Sequence, residues 1–295
     1  MEIVSTISAC KKALSFAHNN GENIAFVPTM GNLHAGHIHL VNIAKQHAKY
    51  VVVSIFLNPL QFGINEDLSA YPRTLEADLE KLKAAGANLV FTPSVEEMYP
   101  DFDGKSLNQT MMITPPPFAN LHCGASRPGH FDGVATVVAK LFNIVFFNAS
   151  APQFAVFGKK DFQQLGIIRA LVRQFNMPIN IIAGDTVREP SGLALSSRNG
   201  YLTEAQKTQA AELQALLKSI QQQVQAGNDD YRALETAAAQ SLNTTGWNTD
   251  YITICNAITL QPALQADTVN NTALVVLAAA KLGSTRLIDN IDFLR

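Results

Sequence analysis

The sequence predicts an α/β chain, with a parallel sheet over residues 1–185 and a smaller α+β domain over residues 186–295. Three observations predict it. Short apolar runs alternate with helical segments through the first part of the chain, the rhythm of βα units around a parallel sheet. One run, Tyr50 to Leu57, is nearly continuously apolar rather than alternating, as a strand covered on both faces must be. After about Asp185 the alternation stops and helices are followed by strands, which marks a separate packing unit.

Taken in order, Thr6 to His18 carries Ile7, Leu14 and Ala17 at helical spacing, and Asn19-Asn20-Gly21 stops the helix. Ile24 to Val27 is a short strand, followed by a polar turn and a second helix from about Gly36 to Ala48. Thr74 is placed to cap a charged surface helix that runs through Ala85 and ends at Gly86. Strands are predicted at 88–92, 154–157 and 179–183, with helices over about 129–147 and 161–176. Met111-Met112 reads as core. In the second domain, Thr203-Glu204-Ala205-Gln206 is a capping-box pattern opening a long Gln- and Ala-rich helix. Gly227-Asn228-Asp229 breaks it before another helix, and 251–255, 273–280 and 285–290 are strand-like. Together these elements describe a Rossmann-like doubly wound parallel sheet with a second, smaller α+β domain.

Composition narrows the function. A chain of 295 residues, 47% apolar and 16% charged, can build a sizeable core and is not disordered in character. With a net charge of −2 and no long basic run, neither nucleic acid nor a membrane surface is an expected partner. The longest uninterrupted apolar stretch, Ala273 to Ala280, is far short of the ~20 residues a membrane span needs. No cationic segment followed by an apolar one opens the chain, so no signal peptide is expected. Cys10, Cys123 and Cys255 are scattered, as reduced thiols in a cytoplasmic protein are.

Histidines are unevenly placed. Four of the seven lie between His34 and His47, and two form His34-Ala35-Gly36-His37, directly after a strand and opening a helix. Ligands of open parallel sheets bind beyond the carboxyl ends of strands, where a helix N-terminus presents unpaired N–H groups. Gly36 lets a phosphate approach the backbone, and side chains three apart share one face of the first turn. Both rings can then donate to one nucleotide triphosphate. Against this stand a merely helix-capping pair, and zinc, for which no Cys, Asp or Glu sits at ligand spacing nearby. His39 and His47 are structural or solvent-facing. No dinucleotide fingerprint and no Gly-Lys-Ser/Thr phosphate loop occurs.

Pro28-Thr29-Met30-Gly31-Asn32-Leu33-His34-Ala35-Gly36-His37 resembles the HxGH signature of the nucleotidyltransferase superfamily and, in its longer form, the pantoate–β-alanine ligase family. Further segments agree in order: Asn58-Pro59-Leu60-Gln61-Phe62, Tyr71-Pro72-Arg73-Thr74, Arg127 to Val134, Phe157 to Gln164 and Gly192 to Asn199. Lys159 stands where many members carry Glu, and the stretch 146–153 is longer than usual.

The resemblance implies an ATP-dependent ligase that condenses pantoate with β-alanine through a pantoyl-adenylate, releasing pyrophosphate and then AMP. It implies ATP contacts at Met30, Gly31, Asn32, Leu33, His34, Ala35, Gly36 and His37, at Gly158, Lys159, Lys160 and Asp161, at Val187, and at Leu195, Ser196, Ser197 and Arg198. His37, His34, Lys160 and Arg198 are the expected catalytic groups, and Gln61 and Gln164 the substrate-binding ones. The carboxylate is already ionised, so the first step needs no general base, and cationic or N–H donors that meet phosphate charge are what it requires. Gln61 and Gln164 suit the two pantoate hydroxyls because an amide both donates and accepts. Met30, Val134 and Val138 are candidates for an apolar wall against its methyls. Gly192 is a candidate hinge for the Ser196–Arg198 loop, and residues 186–295 are expected to act as a lid. Mg²⁺ is expected with ATP, although its ligands are unknown, and a homodimer is implied. An adenylyltransferase of the same superfamily is the alternative, sharing the histidines and the Ser196–Arg198 loop. A nucleotide-binding regulator without catalysis is a third reading.

Overall fold

The computed structural model describes residues 1–63, 68–69, 71–147, 151–264 and 271–295. Residues 148–150, within the stretch predicted to be unusually long, lie outside the described residues. The chain divides into two compact units. The first comprises residues 1–116, 127–159 and 167–185; the second comprises 117–126, 160–166 and 186–295. The second unit thus includes two short stretches from the first 185 residues, as well as everything after them.

The elements in order are β1 (Glu2–Val4), α1 (Ile7–Asn19), β2 (Ile24–Thr29), α2 (Ala35–His47), β3 (Tyr50–Ile55), α3 (Leu75–Ala85), β4 (Leu89–Phe91), α4 (Val95–Met98), α5 (Cys123–Ser126), α6 (His130–Val145), β5 (Gln153–Gly158), α7 (Phe162–Gln174) and β6 (Ile179–Gly184). α8 (Glu204–Ala210), α9 (Glu212–Gln225), α10 (Tyr231–Thr244), β7 (Trp247–Asn256), β8 (Ala273–Leu282) and β9 (Thr285–Leu294) follow.

The first unit holds a six-stranded sheet in the order β1-β4-β3-β2-β5-β6, parallel at every pairing. Strand order therefore runs one way from β2 through β3 to β4 and the other way through β5 to β6. The reversal lies between β2 and β5, the switch point where such sheets bind ligands. Residues of β2 alternate between two covered faces, which explains an apolar run without polar breaks. Ala25 and Val27 pack with Val41, Ala44 and Leu82 of α2 and α3. Phe26 meets Phe142 of α6, ring centroids 6.4 Å apart.

The second unit packs α9 and α10 on an antiparallel sheet with β8 in the centre. Leu213, Leu217, Ile220 and Val224 form the apolar stripe of α9 that covers it.

Several sequence expectations change in detail. β1 is not among the predicted strands, because only Val4 of its three residues is buried and no apolar run marks it. The long helix after Thr203 is two helices, α8 and α9, that meet at Ala211. The Thr203–Gln206 capping box is present as predicted. Thr74 does not cap α3; its hydroxyl donates instead to the Asp78 carboxylate. Met111 and Met112 are exposed rather than core, since the segment that carries them has no apolar layer over it.

Candidate active site

β2 ends at Thr29, and the chain turns through Met30, Gly31, Asn32 and Leu33 before α2 begins. Asp78 holds this turn. Its carboxylate is wholly buried and accepts from the backbone N–H of Asn32 at 2.7 Å and of Leu33 at 2.8 Å. Thr74 Oγ1 donates to the same group at 3.1 Å. Lys81, one turn further along α3, donates to the Leu33 carbonyl at 2.7 Å and sits 3.7 Å from Asp78. These bonds support Asn32 in a left-handed conformation, φ 51°, which Asn tolerates better than most residues.

The two histidines cap α2 reciprocally. His34 Nδ1 accepts the Gly36 N–H at 3.1 Å, and His37 Nδ1 accepts the His34 N–H at 3.2 Å. The geometry is that of a capping box, built from two imidazoles in place of a hydroxyl and a carboxylate. An Nδ1 that accepts carries no proton, so each neutral ring holds its proton on Nε2. The ring centroids lie 4.1 Å apart with the planes tilted by 45°. A helix N-terminus at the sheet's reversal therefore carries a pair of Nε2–H groups able to donate to oxygen acceptors.

β5 lies beside β2 and runs parallel to it, so Gly158 and Lys159 leave the sheet at the same edge as the histidine turn. Lys159 pairs with Asp185 at 3.0 Å, so the Lys159-Lys160 doublet is not two uncompensated charges.

Gln61 reaches this edge from the short helix Pro59–Gln61, with its Nε2 2.8 Å from Met30 Sδ. The turn around it is held from several sides. The Gln61 carbonyl accepts from His130 Nδ1 at 2.7 Å and from Arg127 at 3.3 Å, and Arg127 Nη1 lies 3.0 Å from His130 Nε2. Asn58 Nδ2 donates to Gln61 Oε1 at 3.1 Å, and the Tyr99 hydroxyl donates to Asn58 Oδ1 at 2.6 Å. Burial pushes the Tyr99 phenol up, which keeps its proton in place. Val134 and Val138 are buried on α6.

The second unit carries the remaining predicted residues. Lys160 and Asp161 belong to a short turn before α7, and the Lys160 carbonyl accepts from Asn290 Nδ2 of β9 at 2.9 Å. Gln164 is half-buried on α7. Its neighbour Gln163 is structural: its amide donates to the carbonyls of Phe118 and Leu121 and accepts from the Cys123 N–H. The Val187 carbonyl accepts the Leu195 N–H at 3.0 Å, which joins two predicted nucleotide contacts. Between them Arg188 forms a two-pronged pair with Asp289, at 2.6 and 2.9 Å. Ser196 Oγ accepts the Arg198 N–H at 3.2 Å and so opens the short helix Ser197–Tyr201. Gly192, the candidate hinge, has a backbone conformation that itself calls for glycine. It closes a tight turn onto the Glu189 carbonyl with φ 101°, and a Cβ there would overlap Gln214.

The structure thus brings Met30 to His37, Gln61, Gly158 and Lys159 together in the first unit. Lys160, Asp161, Gln164, Val187 and Leu195 to Arg198 belong to the second. Sequence reasoning did not single out Asn58, Asp78, Tyr99, Asp289 or Asn290, and it left Arg127 and His130 unassigned. Asp78 had a signal: Asp78, Leu82 and Ala85 follow the i, i+4, i+7 spacing of a buried face. Among the described residues no group of three or more His, Cys, Asp or Glu side chains is placed to hold a metal ion. No helix among them is long and apolar enough to cross a membrane.

Comparison with known proteins places the whole chain in one family. The family model described as pantoate-beta-alanine ligase matches residues 2–292. A pantothenate synthetase of Methylobacillus flagellatus is 61% identical over 294 residues, covering 99% of each chain. The crystal structure of a pantothenate synthetase from Thermus thermophilus superposes with a TM-score of 0.87 at 40% identity, covering 99% of each chain. A Francisella tularensis pantoate-beta-alanine ligase, complexed with beta-gamma ATP and beta-alanine, gives 0.74 at 34% identity, over 99% of this chain and 97% of that one.

Proposed function

The chain belongs to the pantoate-beta-alanine ligase family, and on that premise we propose how its own residues divide the work of the reaction. The enzyme joins pantoate to β-alanine at the expense of ATP. A pantoate carboxylate oxygen attacks the α-phosphorus and pyrophosphate leaves, giving a mixed anhydride. The neutral β-alanine amine then attacks the acyl carbon, the C–O bond to phosphate breaks, AMP departs with the electron pair, and the nitrogen gives up one proton to solvent. A match spanning 2–292 gives no support to the sister adenylyltransferase reading.

In the first step negative charge gathers on phosphate oxygens and on departing pyrophosphate. His34 and His37 meet it with Nε2–H groups whose direction the reciprocal cap has already set, so little reorganisation is needed as the charge develops. His37 is assigned to the leaving side. Lys160 supplies a point charge to the β- and γ-phosphates, and Arg198 a forked donor, with Ser196 and Ser197 beside it. Met30 to Leu33, Ala35, Gly36, Gly158, Lys159, Asp161, Val187 and Leu195 are assigned to the rest of the nucleotide. Gln61 and Gln164 are assigned to pantoate. Mg²⁺ would enter with ATP, held chiefly by phosphate oxygens and water, and would offset phosphate charge; no step is routed through it. Family membership supports a homodimer, and scattered free thiols support a reducing, cytoplasmic setting.

The single observation that carries this assignment is the double-imidazole cap at the reversal of the sheet. His37→Ala should slow adenylate formation about 100-fold or more, the loss typical of a transition-state donor, while pantoate affinity changes less than about threefold. Single-turnover quench of labelled ATP measures the first quantity and equilibrium binding the second. An unchanged first step removes His37 from the machinery. Pyrophosphate exchange into ATP that requires pantoate, with AMP released only after β-alanine is added, checks the order of steps.

A further inference from the structure

The amide of Gln61 can present either its oxygen or its nitrogen to a substrate, and the residues behind it decide which. The decision starts from two backbone groups whose roles cannot be exchanged. The Gly133 carbonyl, 3.2 Å from the Asn58 amide, can only accept, so the atom facing it is Nδ2. The Leu60 N–H, 3.4 Å from the other end of the same amide, can only donate, so that end is Oδ1. With Asn58 so fixed, the Tyr99 hydroxyl at 2.6 Å donates to Oδ1. The second Nδ2 hydrogen of Asn58 donates to Gln61 at 3.1 Å, so the atom it meets is Oε1. Gln61 Oε1 is thereby occupied from behind. What Gln61 turns toward Met30 is Nε2, and a thioether is only a weak acceptor.

All three side chains are buried, with Tyr99 and Asn58 no more than 1% exposed, so water does not compete for these bonds. Gly133 makes the arrangement possible. A Cβ there would overlap the Leu60 carbonyl oxygen and crowd the Gln61 nitrogen, so α6 could not approach closely enough for its carbonyl to orient Asn58.

We propose that Tyr99 and Asn58 are positioning residues that set the polarity of Gln61, making it an N–H donor to an oxygen of the acid substrate. The inference rests on the assignment of pantoate to Gln61. The chemistry favours this polarity: carboxylate and hydroxyl oxygens both accept, whereas an outward Oε1 would repel the carboxylate that has to attack phosphorus.

Three variants test it, with initial rates measured against pantoate, ATP and β-alanine in turn. The carboxylate introduced by Asn58→Asp has no N–H, so it accepts from Gln61 Nε2 and turns Oε1 outward. It should raise KM for pantoate at least tenfold while KM for ATP stays within twofold. Tyr99→Phe removes only the hydroxyl and should raise KM for pantoate about threefold, with kcat and KM for ATP nearly unchanged; it decides the matter if Asn58→Asp does not fold. Gln61→Ala should raise KM for pantoate as well. If Gln61→Ala does so and the other two variants keep normal pantoate kinetics, the polarity proposal is overturned and the pantoate assignment survives. Parallel losses toward all three substrates would mean packing alone, and also overturn it. A normal KM for pantoate in Gln61→Ala removes the assignment and the proposal with it.

Discussion

Asp78 shows how much a single buried charge can do for a neighbouring loop. Its two oxygens take the N–H groups of Asn32 and Leu33, immediately ahead of the histidine cap, and Lys81 and Thr74 contribute further polar partners. A buried carboxylate is costly unless every such partner is present, and here two of the partners belong to the turn that carries the proposed nucleotide site. Asp78→Asn keeps the shape but aims an amide N–H at a backbone N–H. Loss of a charged hydrogen bond and one clashing donor should cost about 3 kcal/mol of stability. KM for ATP should rise at least fivefold and KM for pantoate less than twofold. Thermal unfolding together with steady-state kinetics checks both, and a normal KM for ATP in the folded variant would show that the turn does not depend on this anchor. The residue is hard to read from the sequence because α3 is crowded with charge. Glu76, Glu80, Lys81 and Lys83 make the helix look solvated, and the buried spacing shared with Leu82 and Ala85 is visible only when charge is set aside. Tyr99 and Asn58 are obscured differently. Their function is relational, a matter of which atom faces which backbone group, and linear spacing carries no record of that.

Elements act in the same way on a larger scale, and β9 is the example. Two consecutive residues of this strand secure two separate segments assigned to the nucleotide. Asp289 grips Arg188, between Val187 and Leu195, while Asn290 holds the Lys160 carbonyl. The ion pair is two-pronged with Asp289 buried, so removing one partner leaves a stranded charge, at a cost of about 3–5 kcal/mol. Asp289→Asn should therefore lower the urea midpoint and weaken ATP binding, even though the side chain is assigned no contact with substrate. Denaturation and nucleotide titration on the same preparation check it; full ATP affinity in the variant would release β9 from this role. Strands such as β2 and β3 are legible because burial on both faces writes itself into the sequence as an apolar run. The three strands of the second unit are legible in part, as 251–255, 273–280 and 285–290 within longer strands. Each extends to ten residues, and β7 does so through Asn248 and Thr249, which stay paired with β8 without being buried, and through Asp250, which sits at a bulge in that pairing. The double-imidazole cap is readable as a strand–turn–helix feature, but the capping role of its two Nδ1 atoms needs coordinates.

At the scale of the whole molecule, the second unit contains a buried histidine that ties stability to pH. His122 donates from Nε2 to the Leu260 carbonyl at 3.2 Å, lies 3.4 Å from Cys255 Sγ, and packs its ring against Tyr251. Burial lowers its pKa, outweighing the Leu260 carbonyl and the Glu235 carboxylate, which favour the charged form. The Cys255 thiol beside it is pushed up to about 12 by burial, so it stays protonated and offers no anion to stabilise an imidazolium. The folded state therefore binds the His122 proton less readily than the unfolded chain, whose histidines titrate near about 6.5. Above that pH both states are neutral and the full stability is present. As pH falls below it, the unfolded chain takes up the proton first, and stability is lost down through the lowered folded value. The urea midpoint should accordingly be lower at pH 5.5 than at pH 7.5, a window above most carboxylate titration. His122→Gln keeps a donor for Leu260 and removes the titrating group, so it should shrink that difference at little cost at pH 7.5. If the wild-type and variant midpoints fall in parallel between the two pH values, another group carries the acid sensitivity.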